Sequence, residues 1–110
     1  MEGFSAQADR TARLLQATPG WQAVQELLPD YDSETVEAVL REAAAFAVTE
    51  LAPLNAVSDR QGCRIVEGRV KTPAGFAQAY RRYAEAGWLG MDLPEAHGGQ
   101  GLPLTLQAAC

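Results

Sequence analysis

The chain is poor in the residues that most often mark chemistry. It has one histidine and two cysteines in 110 residues. Cys63 and Cys110 are too few for a disulfide framework, and a reducing compartment is the better expectation. CxxC, HxH and HExxH spacings are absent, which removes the common metal signatures. GxxxxGK followed by Ser or Thr is missing, and no GxGxxG follows a strand pattern, so the usual phosphate cradles are not written here. No unbroken apolar run approaches 18 residues, so no membrane-spanning helix is expected. The opening MEGFSAQADR lacks a basic segment followed by an apolar one and does not read as a secretory signal. The cytosol is the default expectation. Basic charge is also scarce, with nine Lys and Arg against 14 Asp and Glu. A nucleic-acid binder should show a basic face, and this chain does not.

What is present suits one globular domain. Hydrophobic content of 47% is too high for bulk disorder. A chain of this length can bury roughly two thirds of its unfolded surface. The net charge of -5 is unevenly spread. Residues 26 to 50 carry seven acids and one base, Arg41, which reads as a solvated helix face. There is no internal repeat and no low-complexity tract.

Helical patterns dominate in chain order. Phe4, Ala8, Ala12 and Leu15 predict a short helix over 4–15, with Ser5 as its cap. Trp21, Val24, Leu27 and Leu28 predict a second, ended by Pro29. Asp32 or Ser33 then caps the strongest helix. Its stripe is Val36, Val39, Leu40, Ala43, Ala47, Leu51 and Leu54. Pro53 should end or kink it, and a kink with continuation to about Val57 is preferred because the stripe goes on. Gly62 is a suitable stop. Residues 63–71 form either a small two-stranded ribbon around Glu67-Gly68 or an extended loop. Thr72-Pro73 predicts the cap and first turn of another helix, with Phe76, Ala77, Tyr80, Tyr83 and Ala84 facing inward. Arg81 and Arg82 should face outward. Gly87 is the expected left-handed residue after it. The last apolar pattern, from Leu104, is still running at Cys110, which suggests a truncated module.

Between these helices lies Gly87–Pro103, GWLGMDLPEAHGGQGLP, with five of the ten glycines and two of the six prolines. Its chemistry is weak on inspection. His97 has no nucleophile marked near it and reads as a turn residue. Asp92 and Glu95 lie three apart, and capping of loop amides is the simpler role for them. Gly98-Gly99-Gln100-Gly101 reads as a compact turn that lets backbone segments approach. Cys63 has no His nearby in sequence. Trp21, Trp88, Tyr80 and Tyr83 read as packing residues.

That same stretch resembles the loop of the acyl-CoA dehydrogenase family's amino-terminal helical domain, through Gly87, Trp88, Gly90, Pro94, Glu95, Gly98, Gly99 and Gly101. His97 replaces an aromatic often found before the paired glycines. Glu50-Leu51-Ala52-Pro53-Leu54-Asn55, Asp59 to Cys63 and Val70 to Phe76 resemble a large branch of the family, which includes enzymes similar to 3-methylmercaptopropionyl-CoA dehydrogenase. The resemblance implies an all-α bundle with the Gly/Pro-rich loop between helices. It implies an amino-terminal extension over 1–31 and a partial family domain over 32–110. It implies FAD and an acyl-CoA substrate in the complete enzyme, dehydrogenated between its α and β carbons. The catalytic base and the main flavin contacts of such enzymes lie in domains absent from this chain. No catalytic, cofactor-binding or metal residue is therefore assigned here. Self-association through an exposed apolar face is expected. A freestanding, non-catalytic helical module is the alternative.

Overall fold

The computed structural model describes residues 2–110. Six α-helices and one short hairpin make up these residues. Helix α1 spans Glu2–Gln16 and α2 spans Trp21–Leu27. Glu2, Gly3 and Phe4 are already helical, so Ser5 lies inside α1 and is not its cap. In α2, Trp21, Val24 and Leu28 pack against the core while Leu27 is 80% exposed. Trp21 and Leu28 are seven apart and share one line on a 3.6-residue helix, and Leu27 is turned off that line.

Helix α3, Ser33–Phe46, starts where the sequence allows one of two caps. The Asp32 carboxylate wins, accepting the Thr35 amide at 2.8 Å. That bond to the charged form holds the Asp32 carboxyl below its ordinary value. A depressed folded pKa stabilises the fold above the unfolded value and is lost as pH falls through the folded one. Asp32→Asn is therefore expected to keep the cap but flatten part of the acid limb of a urea-midpoint profile. An unchanged acid limb would show that the carboxylate contributes nothing.

Pro53 neither ends nor sharply breaks the path of this helix. A single π turn, Ala47–Leu51, follows α3, and α4 continues over Ala52–Gln61. The Ala52 amide bonds back to the Ala47 carbonyl, one residue further than an α-helix would reach. Such a bulge accommodates a ring that has no N–H and would clash with the carbonyl four residues before it. Gly62, at φ 61°, closes α4.

The hairpin pairs β1, Arg64–Val66, with β2, Arg69–Lys71, in antiparallel register. The fold is thus mostly helical and not strictly all-α. Glu67 and Gly68 both have positive φ, 51° and 75°, as a two-residue hairpin turn requires. Helix α5 spans Phe76–Glu85 and starts four residues after Thr72. Thr72-Pro73 is not its cap. Pro73 instead opens a turn that the Phe76 amide closes at 3.3 Å, and Gly75, at φ 93°, directs the chain into the helix. The last helix is α6, Leu104–Ala109.

The core is small and lies between α1, α3 and the ends of the chain's loop region. It contains Ala8, Ala12, Tyr31, Val36, Leu40, Met91 and Leu106. The alanines of α1 allow it to lie close against α3. Tyr31 meets Trp21 with ring centroids 5.0 Å apart, and burial pushes its phenol pKa up. The molecule is a slab, 53 × 36 × 20 Å, with a radius of gyration of 16.8 Å. A compact chain of this size would have about 13 Å. Its accessible surface is 7869 Å². A compact monomer of this mass would expose about 5,900 Å². Exposed apolar side chains are spread over several elements, among them Leu27, Ile65, Val70, Tyr80 and Leu104, with Leu51 46% exposed.

Candidate functional site: an ordered glycine loop and an open apolar groove

Two regions could carry function, and each is shaped by a different physical device. The first is residues 87–103. Gly87, at φ 86°, follows α5 in the left-handed conformation. Trp88 then turns into a 3₁₀ turn, Trp88–Gly90, and packs beside Phe46 of α3 with ring centroids 6.4 Å apart. A second 3₁₀ turn covers Glu95–His97. The loop is knitted by its own backbone. Gln100 N donates to the Gly90 carbonyl at 3.2 Å, Gly101 N to Leu93 at 2.9 Å and Leu102 N to Met91 at 3.0 Å. Gly98 N and Gly99 N donate to Glu95 and Pro94. The Gln100 side-chain amide closes the ring by donating to the Gly87 carbonyl at 3.2 Å.

This bonding decides the phosphate question. All four amides from Gly98 to Gly101 are already spent on carbonyls of the loop. None points outward to hold an anion, and the compact-turn reading stands. His97 and Glu95 are exposed, and Asp92 is half-buried. Neither carboxylate accepts a loop amide among the described residues, because backbone carbonyls have taken that role. Cys63 is exposed. Burial raises the Cys110 thiol, which lies against α1 and α3. Among the described residues no group of His, Cys, Asp and Glu could hold a metal.

The second region is a groove of about 810 Å³ between α1, the π turn, α4 and α5. Phe4, Leu51, Leu54, Phe76, Tyr80 and Tyr83 line it, with Asn55 and Ser58 as its polar members. Of the residues expected to face inward on α5, Phe76, Tyr80 and Tyr83 line this groove instead of a core, while Ala77 and Ala84 are exposed and do not line it. Only Ala79 is buried, while Phe76 and Tyr80 are 39% and 64% exposed. Phe46 meets Tyr83 with centroids 5.9 Å apart, which anchors α5 to the end of α3. Arg82 does face solvent, yet it reaches Glu50 on the π turn, whose side chain is only 20% exposed. That cross-link, 32 residues apart in sequence, carried no local signal. The groove has the volume of a ligand site. It lies open to water along its length, however, and its lining carries no charged side chain.

Neither the loop nor the apolar groove offers what a flavin dinucleotide would need. A dinucleotide needs free amides or cations for its pyrophosphate and donors for its ring edge. The loop amides are spent, and the groove is apolar.

Comparison with known proteins agrees with the loop. Residues 33–110 match the family described as acyl-CoA dehydrogenase, N-terminal domain. The 3-methylmercaptopropionyl-CoA dehydrogenase of Ruegeria pomeroyi is 34% identical over 91 residues, covering 81% of this chain. The chain spans only 16% of that relative's length. Among the described residues no helix is long and apolar enough to cross a membrane. A family match over most of the chain, joined to a Gly87–Pro103 loop folded on its own backbone, makes this protein a member of the acyl-CoA dehydrogenase family, built as its amino-terminal domain.

Proposed function

We propose that this chain supplies a non-catalytic wall to an FAD-dependent acyl-CoA dehydrogenase in the cytoplasm. In that reading residues 1–31 are an amino-terminal extension and residues 32–110 are the family-type domain. The complete enzyme removes hydrogen from the α and β carbons of an acyl-CoA thioester. Flavin, base and most thioester contacts come from the rest of such an enzyme. The carrying observation is the open groove lined by Leu51, Leu54, Phe76 and Tyr80. An apolar wall without a lid can exclude water only when a second body covers it. The surplus surface, about 2,000 Å² against a compact monomer, is of the size that specific interfaces bury.

A chimera tests this. The chain replaces its matching segment in the Ruegeria pomeroyi relative. A yellow chimera that reduces an electron acceptor with acyl-CoA is expected. The chain alone should lose all flavin on gel filtration and show no such turnover. Alone, it should also self-associate through the groove, and Leu51→Gln with Tyr80→Gln should restore a monomer. Persistent flavin absorbance with the isolated chain would sink the wall reading. A parent chain that stays a cooperative monomer, together with a chimera that folds without activity, would favour a freestanding helical module.

A further inference from the structure

The β1–β2 ribbon carries a charge arrangement that its own stability does not explain. Arg64 and Lys71 are direct partners across it. Like charges directly opposite one another destabilise a strand pair. Neither side chain has a carboxylate within ion-pair distance among the described residues. Strand alternation puts Arg64, Val66, Arg69 and Lys71 on one face, with Ile65 and Val70 on the other.

The cationic face borders a concavity of about 370 Å³ between the ribbon, the end of α4 and the turn into α5. Gln61, Arg64, Lys71 and Thr72 are its polar members, and no acidic side chain lines it. The Gln61 side-chain oxygen Oε1 accepts the Ala74 amide at 3.2 Å. That bond fixes the side chain and leaves its NH2 group as a donor. Residues bearing a fork, an ammonium, an amide and a hydroxyl line one hollow that has no acidic side chain in its lining.

We propose that this concavity binds a phosphoryl group. Arg64 supplies the forked donor pair and Lys71 the point charge. A bound dianion turns the repulsion between them into a shared attraction. The residues are exposed, so binding is weak and falls with salt. Inorganic phosphates and the phosphorylated end of a nucleotide offer the same chemistry. The site stands on the ribbon's geometry and does not depend on the wall reading above.

The test uses the full chain, isotope-labelled, at low ionic strength. Pyrophosphate is titrated first and adenosine 3′,5′-bisphosphate second, with amide shifts as the readout. Saturable shifts confined to residues 61–74 are expected. Arg64→Gln with Lys71→Gln should weaken pyrophosphate binding by about tenfold or more, while Arg81→Gln on α5 changes nothing. Removing the like-charge pair should also leave Tm equal or higher. Bisphosphate binding tighter than pyrophosphate by about tenfold would assign a nucleotide source, and equal binding a bare phosphoryl site. Either supports the proposal. Absence of saturable shifts, or equal affinity in the double variant, overturns it. So does a double variant that loses Tm while pyrophosphate fails to raise the parent's Tm. That pattern would mean the two cations only offset the carbonyl end of α4.

Discussion

Gly99→Ala is expected to leave little folded protein at room temperature. A Cβ at this position would lie 2.0 Å from the Leu93 carbonyl oxygen and 2.7 Å from that of Gly90. Both obstacles are backbone, and neither can rotate away. Those same two carbonyls accept the amides of Gly101, Gln100 and Leu93. Moving them breaks the bonds that shape the loop and shifts Met91, which is 2% exposed in the core. Steric strain and lost backbone hydrogen bonds together should cost about 4 kcal/mol or more. Domains of this kind hold only about 5–15 kcal/mol in total. Gly20→Ala is the matched control, because nothing lies within 4 Å of its added Cβ. It should change stability by no more than about 0.5 kcal/mol. Urea unfolding followed by circular dichroism measures both. A Gly99→Ala midpoint close to the parent's would show that the loop relaxes, and that the close approach is not required.

Leu106→Ala should cost about 2–5 kcal/mol, the usual range for a fully buried leucine. Leu106 is 0% exposed and sits in the cluster with Ala8, Ala12, Val36 and Leu40. Helix α6 has only six residues. A helix that short has no stability of its own, so its place depends on this one buried side chain. Each kcal/mol lost should lower Tm by about 4–8 °C. Leu104→Ala, at a position 67% exposed, should move Tm very little. A loss below about 1 kcal/mol for Leu106→Ala would show that α6 lies outside the cooperative core.

The pattern of successes and misses follows from the range of the interactions concerned. A cap at Asp32 or Ser33, the Gly62 stop and the left-handed Gly87 were legible because each is decided within a few residues. The start of α5 was not. Thr72-Pro73 has good capping chemistry, but Thr72 leaves β2 extended and Gly75 makes the turn. The hairpin stayed open between ribbon and loop because Glu-Gly is a weaker turn signal than Asn-Gly. Five residues of α5 looked inward by spacing, yet spacing gives a face and not what covers it. In the structure Phe76, Tyr80 and Tyr83 border an open groove, and Ala77 and Ala84 are left exposed. Tyr31 gave no pattern at all, since it lies between two helices and is buried by Trp21 from one side.

Gly87–Pro103 shows the same division. Its resemblance to a family loop was legible in the chain alone, and at Gly99 the backbone approaches itself too closely for any other residue. The sequence also determined the helical character, the apolar stripe of α3 and the lack of metal or phosphate-loop signatures. Only the tertiary structure decided where the loop's amides point. They turn inward to its own carbonyls, which removes it as an anion cradle. The fold alone placed Arg82 beside Glu50 and set Arg64 across from Lys71. It also left Leu51 of the α3–α4 stripe exposed. Such outcomes depend on contacts between distant segments, and periodicity within one segment carries no record of its neighbours.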